Sequence, residues 1–213
     1  MQILLQEIIP TYLEKDKTND SEIWGQKIIL TKGEHVNIVA PSGSGKTSLI
    51  HFIYGLRKDY TGTILYGNND ISHFSLEKFS VFRQKNISIV FQDLRLFSDQ
   101  TAKENLELKR QLNPYHPPEK IAEMAQRLGI ENKLEKLSKT CSYGEQQRIA
   151  IIRSLLQPFD FILLDEPFSN LDDNNREKAF ELIREESYKR NASMILADLK
   201  KLEFFNGHRI LKL

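Results

Sequence analysis

The chain has 213 residues, enough for one well-buried α/β domain with room for a subdomain and too few for two large ones. Its 30 Lys and Arg stand against 29 Asp and Glu, spread rather than clustered, which argues against nucleic acid as a partner. The single cysteine, Cys141, excludes an internal disulfide framework and a Cys-rich zinc site and fits a reducing compartment, while no run reaches the ~20 apolar residues of a membrane span.

Met1 to Glu7 lacks a basic n-region and a cleavage site, so a soluble chain is expected, with any membrane role borrowed from a partner. Residues 2–12 read as a strand through Ile3 to Leu5 and Ile8-Ile9. The polar stretch Glu14 to Glu22 reads as a hairpin loop, and Ile28-Ile29-Leu30 as the returning strand. After the turn Lys32-Gly33-Glu34 comes a β-rich run, His35 to Val39. It hands over at Ala40-Pro41-Ser42-Gly43-Ser44-Gly45-Lys46-Thr47-Ser48 to a helical run, Ser48 to Tyr54.

A strand, a small-residue loop ending Gly-Lys-Thr and a helix make a phosphate cradle. Backbone N–H groups wrap the phosphates, the lysine reaches the terminal ones, and the hydroxyl suits Mg²⁺. The first glycine of that pattern is replaced by Ala40, which requires a negative φ there. The bland alternative, a Gly/Ser loop with a stray lysine, fits the flanking strand and helix poorly.

Thr61 to Asp70 reads as a strand ending in turn residues. A short helix from Ser75 follows, with Phe79 and Phe82 facing a core, and then a buried strand, Ile87 to Phe91, with Gln92-Asp93 at its carboxyl end. From Thr101 to about Thr140 no strand is expected. Pro117-Pro118-Glu119 opens a helix whose Ile121, Met124, Ala125 and Leu128 form a core stripe that stops at Gly129. Tyr143 to Leu156 is another helix. Phe159 to Glu166 is an apolar strand delivering Asp165 and Glu166 at its carboxyl end, the edge where ligands sit in open parallel sheets. A helix from Asp172 to about Arg190, a strand Ser193 to Ala197 and a last strand His208 to Leu213 complete the chain.

Five motifs in this order resemble the nucleotide-binding subunits of ABC transporters over nearly the whole length. They are Walker A at 40–47, a Q-loop at Val90-Phe91-Gln92-Asp93, a signature at Ser142-Tyr143-Gly144-Glu145-Gln146-Gln147-Arg148, Walker B at 162–166, and a D-loop at Ser169-Asn170-Leu171-Asp172. Ile71-Ser72, Gln92 to Phe97 and Glu104-Asn105-Leu106 look like the lipoprotein-release, macrolide-export and FtsE-type branch.

The resemblance implies an α/β fold: a P-loop NTPase core with a mixed sheet over residues 1–95 and 143–213, an N-terminal antiparallel β layer, and a helical insertion over about 96–142. It implies an ATPase that binds ATP and Mg²⁺, pairs with a second copy of itself, and drives a separate integral membrane permease through the groove between the helical insertion and the Q-loop. The alternative is a slow nucleotide-gated switch of a membrane partner. Either places the protein on the cytoplasmic face of a bacterial inner membrane, held by that partner.

It implies further that residues 40–48 bind the nucleotide, with Lys46 on the β- and γ-phosphates. Thr47, Asp165 and Gln92 would hold the metal, Gln92 would also sense the γ-phosphate, and Glu166 would act as general base. Ser142, Tyr143, Gly144 and Glu145 would face the other subunit's ATP. Tyr143 stands in place of a usual Gly and adds bulk beside a backbone that must approach phosphate closely; Glu145 replaces a usual Gln and is tolerable because it can point outward; Cys141 replaces a usual Leu, as a small buried hydrophobe. The adenine would stack on Tyr12, or on Trp24; either ring could equally be a packing aromatic. Asp198 stands where the family places a switch His, and His208, in the final strand, is no substitute.

Overall fold

The computed structural model describes residues 1–13, 20–201 and 209–213. The expected loop at 14–19 and the start of the last strand at His208 lie outside them. The antiparallel and parallel strands sort into two sheets. The first has the order β2-β1-β4-β5, from β1 (Gln2–Pro10), β2 (Lys27–Thr31), β4 (Tyr60–Tyr66) and β5 (Asn69–Asp70), antiparallel throughout. The second has the order β6-β7-β8-β3-β9 and is parallel throughout. It uses β3 (Val36–Val39), β6 (Ile87–Val90), β7 (Phe161–Asp165), β8 (Ser193–Asp198) and β9 (Arg209–Lys212). The two-residue β5 pairs back onto Leu65 and Tyr66 around Gly67, a hairpin that the turn residues alone did not announce.

The parallel sheet separates two cores, and the strand period assigns the residues. In β7, Phe161 and Leu163 face the antiparallel layer, while Ile162 and Leu164 face the helices on the other side; in β8, Ile195 and Ala197 divide from Met194 and Leu196 in the same way. Burial on both faces explains why these strands read as continuous apolar runs. Helix α1 (Lys46–Ile53) fills the space between the two sheets through Leu49, Phe52 and Ile53.

Between β6 and β7 come α3 (Ala102–Leu112), α4 (Glu119–Arg127) and α5 (Tyr143–Leu155), following α2 (Leu76–Lys85) before β6. Thr101 opens α3 with a capping box to Glu104, and Ser142 opens α5 with one to Glu145. The α4 stripe is core: Ile121, Met124, Ala125 and Leu128 are all buried, and Gly129 ends it at a φ of 65°. Cys141 is buried in the same core, where burial pushes its thiol up. Phe79 is buried, while Phe82 is partly buried and stacks on Tyr66 at 4.3 Å. Helix α6 (Asp173–Lys189), capped by Asp172, covers the helical face of the sheet.

The registers bring four strand ends to one edge. Val39 pairs with Asp198, and Asp165 with Ala197, so the loop after β3, the acids ending β7 and the end of β8 are neighbours. Val90 pairs with Leu164, which places Gln92 beside them.

Candidate active site

The loop from Ala40 to Gly45 curls because its glycines take conformations closed to other residues. Gly43 has φ 78° and Gly45 φ 100°. A Cβ on Gly45 would also meet Trp24 Cζ2 at 3.0 Å. Ala40 keeps a negative φ and is buried, so its substitution for glycine strains nothing. Gly45 is the N-cap of α1 and makes no side-chain cap, so the first amides of that helix face the loop's hollow and favour an anion.

Lys46 reaches back over the loop. Its Nζ donates to Ala40 O at 2.8 Å and Pro41 O at 2.9 Å and lies 3.6 Å from Glu166 Oε1, with the side chain 5% exposed. Thr47 Oγ1 lies 3.2 Å from Gln92 Oε1 and 3.3 Å from Asp165 Oδ1. Glu166 has a left-handed φ of 45°, a strained state for a residue with a Cβ, while its N–H still donates to Ala197 O at 2.9 Å. That twist at the strand end turns its carboxylate toward Lys46. Sequence alone gave the residue but not its backbone.

Beyond Gln92, Leu94 and Arg95 are also left-handed, and Arg153 fastens their carbonyls with two donors at 2.6 Å.

Asp165 has no exposed surface. Oδ1 is the oxygen near Thr47, and Oδ2 has no partner. Burial pushes its carboxyl from 3.8 up to about 6. A carboxyl raised in this way destabilises the fold once ionised. The penalty is absent below the ordinary value, grows as pH rises from there to about 6, and is constant above, on the order of 3 kcal/mol for such a shift. Asp165→Asn is therefore expected to raise the melting temperature of the nucleotide-free protein by roughly 6–12 °C at pH 8 and by little at pH 4. Calorimetry at the two pH values checks this, and a lower melting temperature at pH 8 would contradict it.

The metal test rests on the same atoms. A hydroxyl, an amide oxygen and a buried carboxylate with one orphaned oxygen are hard donors of the kind Mg²⁺ takes. Among the described residues no group of three His, Cys, Asp or Glu could hold a metal alone, so the ion's remaining ligands would be phosphate and water.

Tyr12 lines a cavity of about 330 Å³ with Ser42, Gly43, residues 45–48, Gln92 and Glu166, and its ring is 51% exposed. Trp24 does not compete for a base. It is 1% exposed, lies under Gly45, and donates from Nε1 to Ser44 O at 3.3 Å, so it props the loop from below.

None of the signature residues Ser142, Tyr143, Gly144 and Glu145 lines that cavity. Ser142 Oγ accepts from Glu145 N at 3.3 Å. Glu145 folds back to accept from Ser142 N at 2.8 Å and pairs with Lys133, so it serves the helix end rather than pointing outward. Tyr143 reaches the chain's own Q-loop, its hydroxyl 3.4 Å from Gln92 O, and lines a neighbouring hollow with Thr47, His51, Asp93 and Asp165. Gly144 sits where a Cβ would meet Asn170 O at 3.0 Å, which brings the signature helix close to the 169–172 loop.

Gln147 belongs to the signature stretch, but the sequence assigns it no role of its own. It is 1% exposed, accepts from Asn170 N at 3.0 Å, and donates to Glu166 O at 3.3 Å, tying α5 to the loop that follows β7. Asp198 ends β8 with Oδ1 accepting from Leu199 N at 2.6 Å. Burial pushes its carboxyl up, and the nearby Glu166 charge adds to the rise.

The ABC transporter family model matches residues 25–169. The lipoprotein-releasing system ATP-binding protein LolD of Legionella pneumophila (strain Lens) is 32% identical over 185 residues, covering 85% of this chain and 82% of that protein. The macrolide export ATP-binding/permease protein MacB of Nitrosomonas europaea is 32% identical over 186 residues. That match covers 86% of this chain but 28% of MacB, so the chain spans little more than a quarter of that relative. Among solved structures, the ATP-binding cassette MJ0796, dimeric in a post-hydrolysis state bound to ADP and Pi, superposes with a TM-score of 0.80 at 25% identity, covering 93% of this chain and 88% of that one. A second dimeric structure of MJ0796 gives 0.78. With the family model covering more than half of its length and relatives matching it nearly end to end, the chain belongs to the ABC transporter family, as an ATP-binding cassette.

Proposed function

We propose that this protein binds ATP with Mg²⁺ between two copies of itself, hydrolyses it slowly, and switches a membrane-embedded permease subunit. The observation that carries the reading is the meeting of Lys46, Thr47, Gln92, Asp165 and Glu166 at one sheet edge. Phosphoryl transfer asks mainly for positioning and charge stabilisation. Lys46 exchanges the Ala40 and Pro41 carbonyls for the β- and γ-phosphate oxygens, and the amides at the start of α1 complete the cradle. Thr47, Asp165 and Gln92 would hold Mg²⁺, which when bound would offset phosphate charge. Glu166 takes the proton of the attacking water and is held in place by its left-handed backbone and the Gln147 contact. Ser142 to Glu145 serve the ATP of the second copy, since none of the four lines the chain's own nucleotide cavity.

Among the described residues no helix is long and apolar enough to cross a membrane, and in this reading the membrane-embedded permease is a partner of these residues. Its docking surface is a groove of about 360 Å³ between the Q-loop and α3, lined by Phe91, Phe97, Leu108 and Leu112 with Lys109 and Arg153 among them. The reading carries with it a place on the cytoplasmic face of a bacterial inner membrane, held there by the permease.

Slow turnover follows from Asp198. An ionised carboxylate at that strand end offers no proton to a γ-phosphate and repels it. Here it is tied to its own Leu199 amide, so nothing at position 198 donates toward the nucleotide. Purified protein is expected to release phosphate from ATP only with Mg²⁺, with chelator stopping it, and Asp198→His is expected to raise the rate about tenfold, the worth of one charge-assisted donor. Turnover indifferent to chelator contradicts the ATPase reading, and an unchanged rate in Asp198→His contradicts the slow-switch reading.

A further inference from the structure

Behind the exposed ring of Tyr12 lies a cation with no part in the phosphate chemistry. The Tyr12 hydroxyl donates to Ser48 Oγ at 2.5 Å. The Arg57 guanidinium stands 5.1 Å from the Tyr12 ring centroid, and its Nη1 donates to the same Ser48 Oγ at 2.8 Å. One hydroxyl in the first turn of α1 therefore gathers both side chains. Arg57 is in turn held by Asp59: Nε donates to Oδ1 at 2.9 Å, and Nη2 pairs with Oδ2. The Asp59 main-chain carbonyl accepts from Thr11 N at 3.0 Å and from Thr11 Oγ1 at 3.2 Å. The same two residues thus hold the Tyr12 ring and the backbone that carries it. The floor of the arrangement is the buried ring of Phe52, 5.6 Å from the guanidinium.

The arrangement has two faces. Tyr12 lines the cavity beside residues 42–48, while Arg57 lines none of it. With the cation outside the cavity, the cavity face of the ring is left free for a flat ligand to stack on. A ring fixed before binding also spares the ligand the cost of ordering it. Arg57 and Asp59 are both more than a third exposed, so their pairing contributes little to stability and its effect is in placing the ring.

We infer that Arg57, held by Asp59, is a positioning residue for the nucleobase: it backs Tyr12 and sets that ring as the platform on which adenine stacks. The inference rests on Tyr12 being the base-binding residue. Steady-state kinetics of Tyr12→Ala, Arg57→Ala, Arg57→Lys and the Tyr12→Ala/Arg57→Ala double variant separate the two claims. Tyr12→Ala and Arg57→Ala are each expected to raise KM for ATP about tenfold with kcat within about twofold of wild type. The double variant is expected to be no worse than Tyr12→Ala, because Arg57 acts through the ring, and Arg57→Lys to recover part of the loss by keeping the cation. An unchanged KM in Arg57→Ala beside a raised one in Tyr12→Ala overturns the role of Arg57 alone. Additive losses in the double variant overturn it too, because Arg57 would then touch the nucleotide directly. An unchanged KM in Tyr12→Ala removes the base platform and the inference with it.

Discussion

Glu166→Gln is expected to lower ATP hydrolysis at least about a hundredfold while ATP binding stays within a few-fold of wild type. The substitution keeps size and hydrogen-bonding reach but removes the only function that needs a base, since an amide accepts no proton from water at neutral pH. The geometry isolates that function. The Glu166 carboxylate lies 3.6 Å from Lys46 Nζ, and the backbone that aims it is fixed by its own N–H on Ala197 and by Gln147 on its carbonyl. The left-handed φ of 45° is paid for by the rest of the fold and persists in the variant, so folding should change little. Phosphate release measured at saturating ATP is the check. Hydrolysis within tenfold of wild type would mean that another group takes the proton.

Lys46→Ala has the second large effect: ATP affinity is expected to fall by roughly two to three orders of magnitude, two charge-assisted hydrogen bonds being worth about 3–4 kcal/mol together. The ammonium is nearly buried, held by the carbonyls of Ala40 and Pro41 and near Glu166. Those carbonyls keep the cation in place without matching a phosphate's charge, so the exchange on ATP binding is favourable. Alanine leaves Gly45 and the start of α1 unaltered, and circular dichroism should show an unchanged fold. Equilibrium binding of a fluorescent ATP analogue gives the result, and affinity within fivefold of wild type would contradict the cradle.

Much of this site was legible because its elements are local. Strand, glycine loop and helix follow one another over residues 36–53, and Asp165-Glu166 end an apolar strand; each signal lies within a few residues of chain. What escaped the sequence is contact between distant segments. The sequence leaves Trp24 open between stacking on a base and packing, and burial beneath Gly45 decides for packing, because its environment is set by a loop 20 residues away. Arg57 has no motif at all; its place behind Tyr12 comes from the pairing of β1 with β4, which brings Pro10 opposite Tyr60. Gln147 lies inside a quoted motif, but its service to Glu166 depends on how α5 packs against the end of β7. Glu145 reads as a side chain free to point outward and instead completes a capping box, a local rule that the family resemblance masked. The division into a core and a helical insertion remains our proposal. It is consistent with the absence of a strand between β6 and β7 among the described residues.

The account turns on a nucleotide site shared by two copies, with residues 40–48 from one and Ser142 to Glu145 from the other. Sedimentation of Glu166→Gln, which holds ATP without consuming it, tests this most directly. It should be a monomer without nucleotide and a dimer with ATP and Mg²⁺, and Ser142→Arg added to the same protein should keep it monomeric under both conditions. A protein that stays monomeric at saturating ATP, or that dimerises equally well with Ser142→Arg, would contradict the shared site.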